Sequence, residues 1–279
     1  MVKRNPINYE RKLRRQLKAF LNEKGPHRAI LSALDKARKR DWRLFLFGGV
    51  LRDVLILGLK HKPRDIDVVI MNGTSSELAD ALQPYIKRRT RFGGFQLELN
   101  RWNFDIWPLH TTWAFVHNKH LLPTPDNLPK TTFLNVEAVA VSVDPCGDVG
   151  EIVESGFFEA VKKRTLDINL EENPYPALAA VRAMATATSL RYSLSPRLAR
   201  YILEMEEDLG ADALVAAQDS HYGLVRFRRR DIRSLVKHID HELRRSPRAS
   251  LLLPQGGEQL TLWAPKDKLS VMPALRESA

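Results

Sequence analysis

The pattern of apolar and polar positions predicts a strand, a short helix and a second strand between residues 44 and 70. The apolar run Leu44–Phe47 has the length of a buried strand rather than that of a helix. Gly48 and Gly49 interrupt the run, where the backbone must turn or admit a close neighbour. The apolar residues that follow recur at helical spacing: Val54, Leu55 and Leu59. Pro63 ends this segment, and a second apolar strand begins.

The rest of the chain continues the same mixture of strands and helices. Alternating apolar residues predict strands at 95–99 and 103–109 and another from 139, with a turn-rich close to the sheet at 144–148. Helical periodicity predicts helices at 9–21, 30–40, 77–87, 157–164, 175–190 and 196–205, and in the second half of 221–241. The sheet-forming residues therefore come first, and a helical region follows from 156.

Two carboxylates lie close together in the second predicted strand. On a strand, residues two apart point to the same face, so Asp65 and Asp67 would sit about 6.6 Å apart. Like charges at this distance favour a cation between them, and Mg²⁺ prefers oxygen ligands and substrate phosphates. The neighbouring turn at Gly48 and Gly49 can offer backbone N–H groups to phosphate. Together these features predict a metal–triphosphate site, although each alone is more often a solvated strand end or an ordinary turn.

A third carboxylate, Asp105, lies between Phe104 and Ile106 in a predicted strand. A carboxylate among large apolar residues carries an energetic cost unless it has a partner or a function. A two-metal site needs such a ligand from a neighbouring strand, because its ions lie about 3.5–4 Å apart and share ligands. The alternative is a solvent-facing Asp105 on an edge strand.

Composition limits the class of protein. With 279 residues the chain can form one large or two modest domains with a substantial core. Its one cysteine, Cys146, excludes an internal disulfide and fits a reducing compartment. No apolar stretch approaches the ~20 residues that a membrane helix needs. We therefore expect a soluble, cytoplasmic protein without a membrane partner.

The net charge of +11 is unevenly distributed. Residues 1–43 and 226–248 are basic, whereas the segment between them carries a net negative charge. An acidic centre with basic flanks suits a metal site served by surfaces that bind a polyanion. We therefore expect RNA contacts from these residues: Arg11, Arg14, Arg15, Lys18, Arg228, Arg229 and Arg230. The alternative is that the basic helices only keep their faces solvated, or pack on the sheet.

Several motifs resemble one known family. GGVLRD at 48–53, a short helix and DID at 65–67 resemble the head of the class II CCA-adding enzymes and bacterial poly(A) polymerases, within the nucleotidyltransferase superfamily. Phe92-Gly93-Gly94 and Asp105 stand where that family has an F-G-T hinge and a strand-borne acidic residue. KTTFLN at 130–135 is similar to the family's R-D-F-T-I-N segment, with Thr131 in place of its Asp.

The helix predicted at 175–190 resembles the family's neck helix, which reads the incoming base. Arg182 stands near one of the family's arginines, whereas Pro176 and Ala179 occupy the two base-reading positions. The resemblance covers residues 44–205 and implies an α+β fold, with a polymerase beta-like mixed sheet followed by an all-α neck. We therefore expect four parts: a basic helical extension (1–43), a nucleotidyltransferase head (44–155), a helical neck-like part (156–248) and a tail (249–279). The extension and the tail lie outside the resemblance.

The resemblance also implies an activity. Asp65, Asp67 and Asp105 would be catalytic and would hold Mg²⁺, with Asp105 also activating an acceptor hydroxyl. The residues implied to bind nucleotide are Gly48, Gly49, Arg52, Asp53, Lys130, Asn135 and Arg182. The reaction would transfer a nucleoside monophosphate from ATP or CTP to an RNA 3′ end, with tRNA first among RNAs, and release pyrophosphate. The alternatives are a toxin or defence enzyme that modifies tRNA or a protein hydroxyl, and a non-catalytic RNA-binding protein.

Overall fold

A computed structural model of the chain describes residues 8–24, 41–99, 102–144 and 147–254. The second basic helix predicted at 30–40, the turn at 100–101, Cys146 and most of the tail lie outside the described residues. Within the described part, no helix combines the length and the apolar character that crossing a bilayer requires.

Seven strands form one mixed sheet in the order β3-β4-β5-β2-β1-β6-β7. Strands β2 and β5 pair in parallel, and the other neighbours are antiparallel. The strands are β1 (Arg43–Phe47), β2 (Ile66–Met71), β3 (Ile86–Arg89), β4 (Phe95–Leu99), β5 (Trp102–Pro108), β6 (Val139–Val143) and β7 (Val149–Glu154).

Helices surround the sheet and make up most of the chain after β7. They are α1 (Tyr9–Lys24), α2 (Gly49–Ile56), α3 (Ser75–Leu82), α4 (Trp113–His117), α5 (Phe157–Lys163), α6 (Pro176–Leu190), α7 (Pro196–Tyr222) and α8 (Arg229–Arg245). Short 3-10 segments cover Gln83–Tyr85, Leu109–Thr111, Pro125–Thr131 and Asn135–Glu137. In α7, Gly210 has φ 79° and ψ 156°, so the helix is interrupted there. The predicted α+β class is therefore confirmed.

Helix α1 packs into the core of the sheet region. Its apolar stripe, which includes Leu13, Leu17 and Phe20, is at most 1% exposed and belongs to the same cluster as Leu51 and Leu55 of α2. Burial of side chains of this size contributes about 1.5–3 kcal/mol each. Helix α1 therefore packs on the sheet region, which was one of the two alternatives for the basic N-terminal residues.

The opposite face of the sheet has a smaller apolar cluster at one end. Phe45, Phe47 and Val69 pack there against Phe115 and Leu128, from the segment that follows β5. Phe47 of this cluster pairs in register with Asp67, which is half-buried on the same face. The apolar cluster therefore borders the face that carries Asp67.

The helical region after β7 is continuous with the sheet region. Leu166, Ala180 and Leu198 belong to the same buried cluster as Val141 of β6. Two short parallel strands, β8 (Thr165–Leu166) and β9 (Ser193–Leu194), lie within residues 156–248. The expectation of a helical region after the sheet is therefore confirmed, and these two short segments satisfy backbone hydrogen bonds between its helices.

The edges of the sheet depart most from the predicted elements. The helix expected at 77–87 ends at Leu82, and β3 follows with three exposed basic residues. Strand β7 occupies the other edge, where no strand was predicted, and none of its residues is fully buried. Charged side chains are common on edge strands because they discourage pairing with other chains, so neither strand has a clear apolar alternation.

Candidate active site

Two of the predicted carboxylates lie directly opposite each other on neighbouring strands. Asp67 of β2 pairs in register with Asp105 of β5, and adjacent strands lie about 4.8 Å apart. The flanking residues of both strands, such as Val68 and Ile106, point into the core, so the two carboxylates share the opposite face. Asp65 lies one residue before β2 rather than on it, and it is half-buried.

The carboxylates repel one another in this partly buried position. Burial, then the charges of Asp105 and Asp65, raise the pKa of Asp67 to about 8. Burial and Asp65 raise the pKa of Asp105 to about 6, although Gln96 of β4 donates a hydrogen bond that favours its charged form. The guanidinium of Arg64 forms an ion pair with Asp65. The site therefore concentrates negative charge that a cation would stabilise.

The carboxylates of Asp65, Asp67 and Asp105 are suitable ligands for a hard divalent cation, although their oxygens do not converge on a single position. Among the residues that the structure describes, no three His, Cys, Asp or Glu side chains are already gathered as a metal-binding group. Asp65 is directed to Arg64 instead. Carboxylate oxygens on Asp67 and Asp105, with raised pKa values, are nevertheless the ligand type that Mg²⁺ takes.

The predicted phosphate-binding turn adjoins the carboxylates. Gly48 precedes helix α2 with φ 68°, a left-handed conformation that favours glycine. A Cβ atom on Gly48 would lie 3.9 Å from Oδ2 of Asp67 and 3.8 Å from the carbonyl oxygen of Glu137. The N-terminus of α2 therefore opens beside Asp67, as the two motifs together predicted.

A buried charge network lies under the turn; it consists of Arg52, Asp53, Glu137 and Arg182. Arg52 donates from Nε to Oδ1 of Asp53 at 2.7 Å and from a terminal nitrogen to Oε1 of Glu137 at 2.5 Å. Arg182 of α6 donates to Oε2 of Glu137 at 3.0 Å. Glu137 therefore joins the turn helix α2 to the neck helix α6.

The network uses three residues that were predicted to bind nucleotide: Arg52, Asp53 and Arg182. The side chains of Arg52 and Asp53 are each 7% exposed and are paired with each other. Arg182 keeps 45% of its side chain exposed, and its charge acts on Asp67 to favour the ionised carboxylate. Of the three, Arg182 is thus the one whose charge reaches the carboxylate face.

Sequence reasoning missed Glu137. Burial acts to raise the pKa of its carboxyl group, but Arg182 and Arg52 outweigh burial and hold the pKa below its usual value. A single Glu inside the apolar run from Phe133 to Val141 was the available signal, because a charge in such a run needs a buried partner.

The remaining predicted nucleotide-binding residues have protein partners. Asn135 donates from Nδ2 to the carbonyl of Thr165 at 3.3 Å, and its Oδ1 accepts from the backbone N–H of Asp167 at 3.0 Å. Lys130 is exposed and donates to Oδ1 of Asn127 at 2.9 Å. Asn135 thereby links the segment before β6 to the start of the helical region. Nucleotide contacts by Asn135 and Lys130 stay predictions.

The predicted RNA-binding residues form two separate basic surfaces. Arg11, Arg14, Arg15 and Lys18 line one depression of about 370 Å³ with Asp148; Lys18 pairs with Asp148 at 2.9 Å, and Arg14 donates to the carbonyl of Gly150. The second depression, of about 630 Å³, lies at the start of α8 and is lined by Arg228, Arg229, Arg230, Arg233, Ser234 and Lys237.

No protein-family model matches this sequence, and neither does any curated protein. Solved structures with a similar fold include the following three. A tRNA nucleotidyltransferase complexed with a primer tRNA and an incoming ATP analogue has a TM-score of 0.53 at 19% identity, covering 76% of this chain and 61% of that chain. The Thermotoga maritima CCA-adding enzyme complexed with tRNA has a TM-score of 0.53 at 16% identity, and the match covers 86% of this chain and 56% of that chain. A CCA-adding enzyme in complex with CTP has a TM-score of 0.54 at 16% identity, and the match covers 83% of this chain and 56% of that chain.

The chain thus spans about three fifths of the length of these structures. At these identities the similarity establishes the fold. The polymerase beta-like fold that the motifs implied is therefore confirmed, and the fold is the one that those structures share.

Proposed function

We propose that this protein is a metal-dependent nucleotidyltransferase that adds nucleoside monophosphate from an NTP to the 3′ end of an RNA, with tRNA as the first candidate. The observation that carries the proposal is the pair Asp67 and Asp105, which face each other on adjacent strands beside the turn at Gly48. The fold similarity to enzymes solved with tRNA, an ATP analogue and CTP supports the choice of substrates.

The proposed chemistry assigns separate roles to the carboxylates. Asp65, Asp67 and Asp105 would hold Mg²⁺, which neutralises charge on the triphosphate and on the leaving pyrophosphate when bound. Asp105, whose pKa is raised to about 6, would accept the proton of the acceptor hydroxyl as that oxygen attacks the α-phosphate. The N–H groups at the start of α2 would orient the triphosphate beside Asp67.

A labelling assay tests this proposal. Purified protein is incubated with Mg²⁺, total tRNA and each labelled NTP in turn, beside an Asp65→Ala/Asp67→Ala variant. Asp80→Ala is the matched control, because Asp80 is exposed on helix α3. We expect label in RNA with the wild type and with the control, and none with the double variant. Absence of label in RNA with every NTP would refute the proposal, and label in a protein fraction would instead support a toxin-like modification.

A further inference from the structure

Three side chains meet where the head joins the neck; we call Arg91, Phe92 and Tyr175 the border cluster. The rings of Phe92 and Tyr175 lie 6.3 Å apart between centroids at 63°. The guanidinium carbon of Arg91 lies 4.9 Å from the Phe92 ring and 5.4 Å from the Tyr175 ring. Tyr175 is 39% exposed and Arg91 is exposed. The cluster therefore offers π surface and positive charge to solvent.

The loop that carries Arg91 and Phe92 is fixed by its own contacts. Gly93 has φ 82°, and its carbonyl accepts a hydrogen bond from Oγ of Ser75 at 2.7 Å. The backbone N–H of Gly94 donates to Oγ1 of Thr90 at 3.0 Å. A Cβ atom on Gly94 would lie 2.8 Å from Cβ of Trp107. The loop is thus held against β5, and its backbone fixes the positions from which the side chains of Arg91 and Phe92 extend.

The border cluster lies within a nucleotide's reach of the carboxylates along two elements. On β4, Gln96 is directly opposite Asp105, and Phe92 lies four residues earlier, at most about 14 Å away along the chain. On the neck side, Tyr175 is the residue before α6 and Arg182 is seven positions later. Seven residues are close to two helical turns and about 10 Å. Both elements therefore lead from the carboxylate face to the cluster.

The start of helix α6, between Tyr175 and Arg182, offers few side-chain hydrogen-bond donors or acceptors. Pro176 has no backbone N–H, Ala177 carries only a methyl group, and Ala179 is buried. The side chains of Pro176 and Ala177 cannot read the edge of a base. Stacking on aromatic rings and guanidinium planes instead accepts any base, because every base has a π-face.

We propose that the border cluster binds a nucleobase by stacking, so that the reacting nucleotide is held with little discrimination between bases. This proposal rests on the proposed function and concerns the same site. The nucleobase can come from the NTP or from the terminal nucleotide of the RNA, since both present the same chemistry. The chain would then differ from a protein that selects its nucleotide through hydrogen bonds to base edges.

Equilibrium binding by the full chain tests the proposal without requiring turnover. Affinities are measured for each of the four NTPs with Mg²⁺ and without RNA, and separately for tRNA without NTP. Tyr175→Leu should weaken binding by about 5- to 140-fold, the range for one lost base–aromatic stack. The four NTPs should be affected alike, and Tyr175→Phe, which keeps the ring, should bind as the wild type does.

Tyr85→Leu is the matched control, because Tyr85 is 37% exposed at the opposite end of β3 from the loop. Weakened binding of NTP alone, or of tRNA alone, would support the proposal and identify the source of the base. Arg91→Met provides a second variant on an exposed side chain, with an expected loss in the same direction.

Unchanged affinities for all NTPs and for tRNA in folded Tyr175→Leu and Arg91→Met would overturn the proposal. A loss in some NTPs but not in others would refute recognition by stacking alone. If stacking-dependent binding is found but no label is transferred, the proposed function fails, and only nucleobase binding by the border cluster stands.

Discussion

Glu137→Gln is the substitution whose effect follows most directly from the buried charge network. It removes the carboxylate that pairs with both Arg52 and Arg182 while keeping the size of the side chain. Breaking a buried ion pair by removing one partner costs about 3–5 kcal/mol. Arg182 is 45% exposed, so water screens its share, and Arg52 keeps Asp53 as a partner. We therefore expect the lower end of this range, about 3 kcal/mol.

A loss of that size corresponds to a fall in melting temperature of about 6–12 °C. The measurement is thermal unfolding followed by circular dichroism, with urea unfolding as a second probe. Glu159→Gln is the matched control, because Glu159 pairs with Lys162 and Lys163 in exposed ion pairs on α5. The control should melt with the wild type.

A second substitution shows whether the cost arises from the pair between Glu137 and Arg182. Adding Arg182→Gln to Glu137→Gln removes the guanidinium that has lost its partner, so the double variant should lose less stability than the sum of the single variants. A change below about 2 °C in Glu137→Gln, or strict additivity in the double variant, would refute the view that Glu137 holds the head and neck together.

Three further predictions concern pH, the carboxylate face and the loop. The pKa values of Glu137 and Asp53 are lowered in the folded protein. The ionised carboxylates therefore stabilise the fold above their unfolded pKa values of about 4.3 and 3.9, and this stabilisation is lost as the pH falls. The urea midpoint of Glu137→Gln should accordingly depend less on pH below about 4 than that of the wild type. The raised pKa of Asp67, about 8, means that its charge destabilises the fold as pH rises, so Asp67→Asn should raise the melting temperature at pH 8. Gly94→Ala should cost about 1–3 kcal/mol in urea unfolding, because its Cβ atom would lie 2.9 Å from the Ile106 carbonyl.

Each of these predictions has a contrary outcome. If the urea midpoints of the wild type and of Glu137→Gln fall equally as the pH is lowered, the ionisation of Glu137 does not contribute to stability as predicted. A lower melting temperature for Asp67→Asn at pH 8 would show that repulsion between carboxylates is not the dominant effect. Unchanged stability in Gly94→Ala would mean that the loop can move away from Trp107.

The central segment could be predicted from sequence because local signals agree there. Apolar runs of strand length, the glycines at 48 and 49 and helical spacing after them define β1, α2 and β2. Alternation within β2 and β5 also determines which face Asp67 and Asp105 share. Their direct pairing required the register of a parallel strand pair, which distant parts of the chain decide.

The charge network could not be predicted because its partners are far apart in sequence. Glu137 and Arg182 meet only after the neck helix docks on the sheet region. The same holds for Phe92 and Tyr175, which are even farther apart in sequence. The family resemblance implied that Arg52 and Asp53 bind nucleotide, and the structure shows in addition that the two side chains pair with each other. Nucleotide contacts by these residues stay predictions.

The parallel pairing of β2 and β5 has a consequence for the order of folding. A parallel pair needs a crossover, and here the chain passes through α3, β3 and β4 before β5 aligns with β2. Contacts between residues so distant in sequence form late, because loop closure must precede them. A nascent chain that has emerged only as far as β2 carries Asp65 and Asp67 without Asp105. The proposed chemistry, which uses all three carboxylates, therefore waits until β5 has paired with β2.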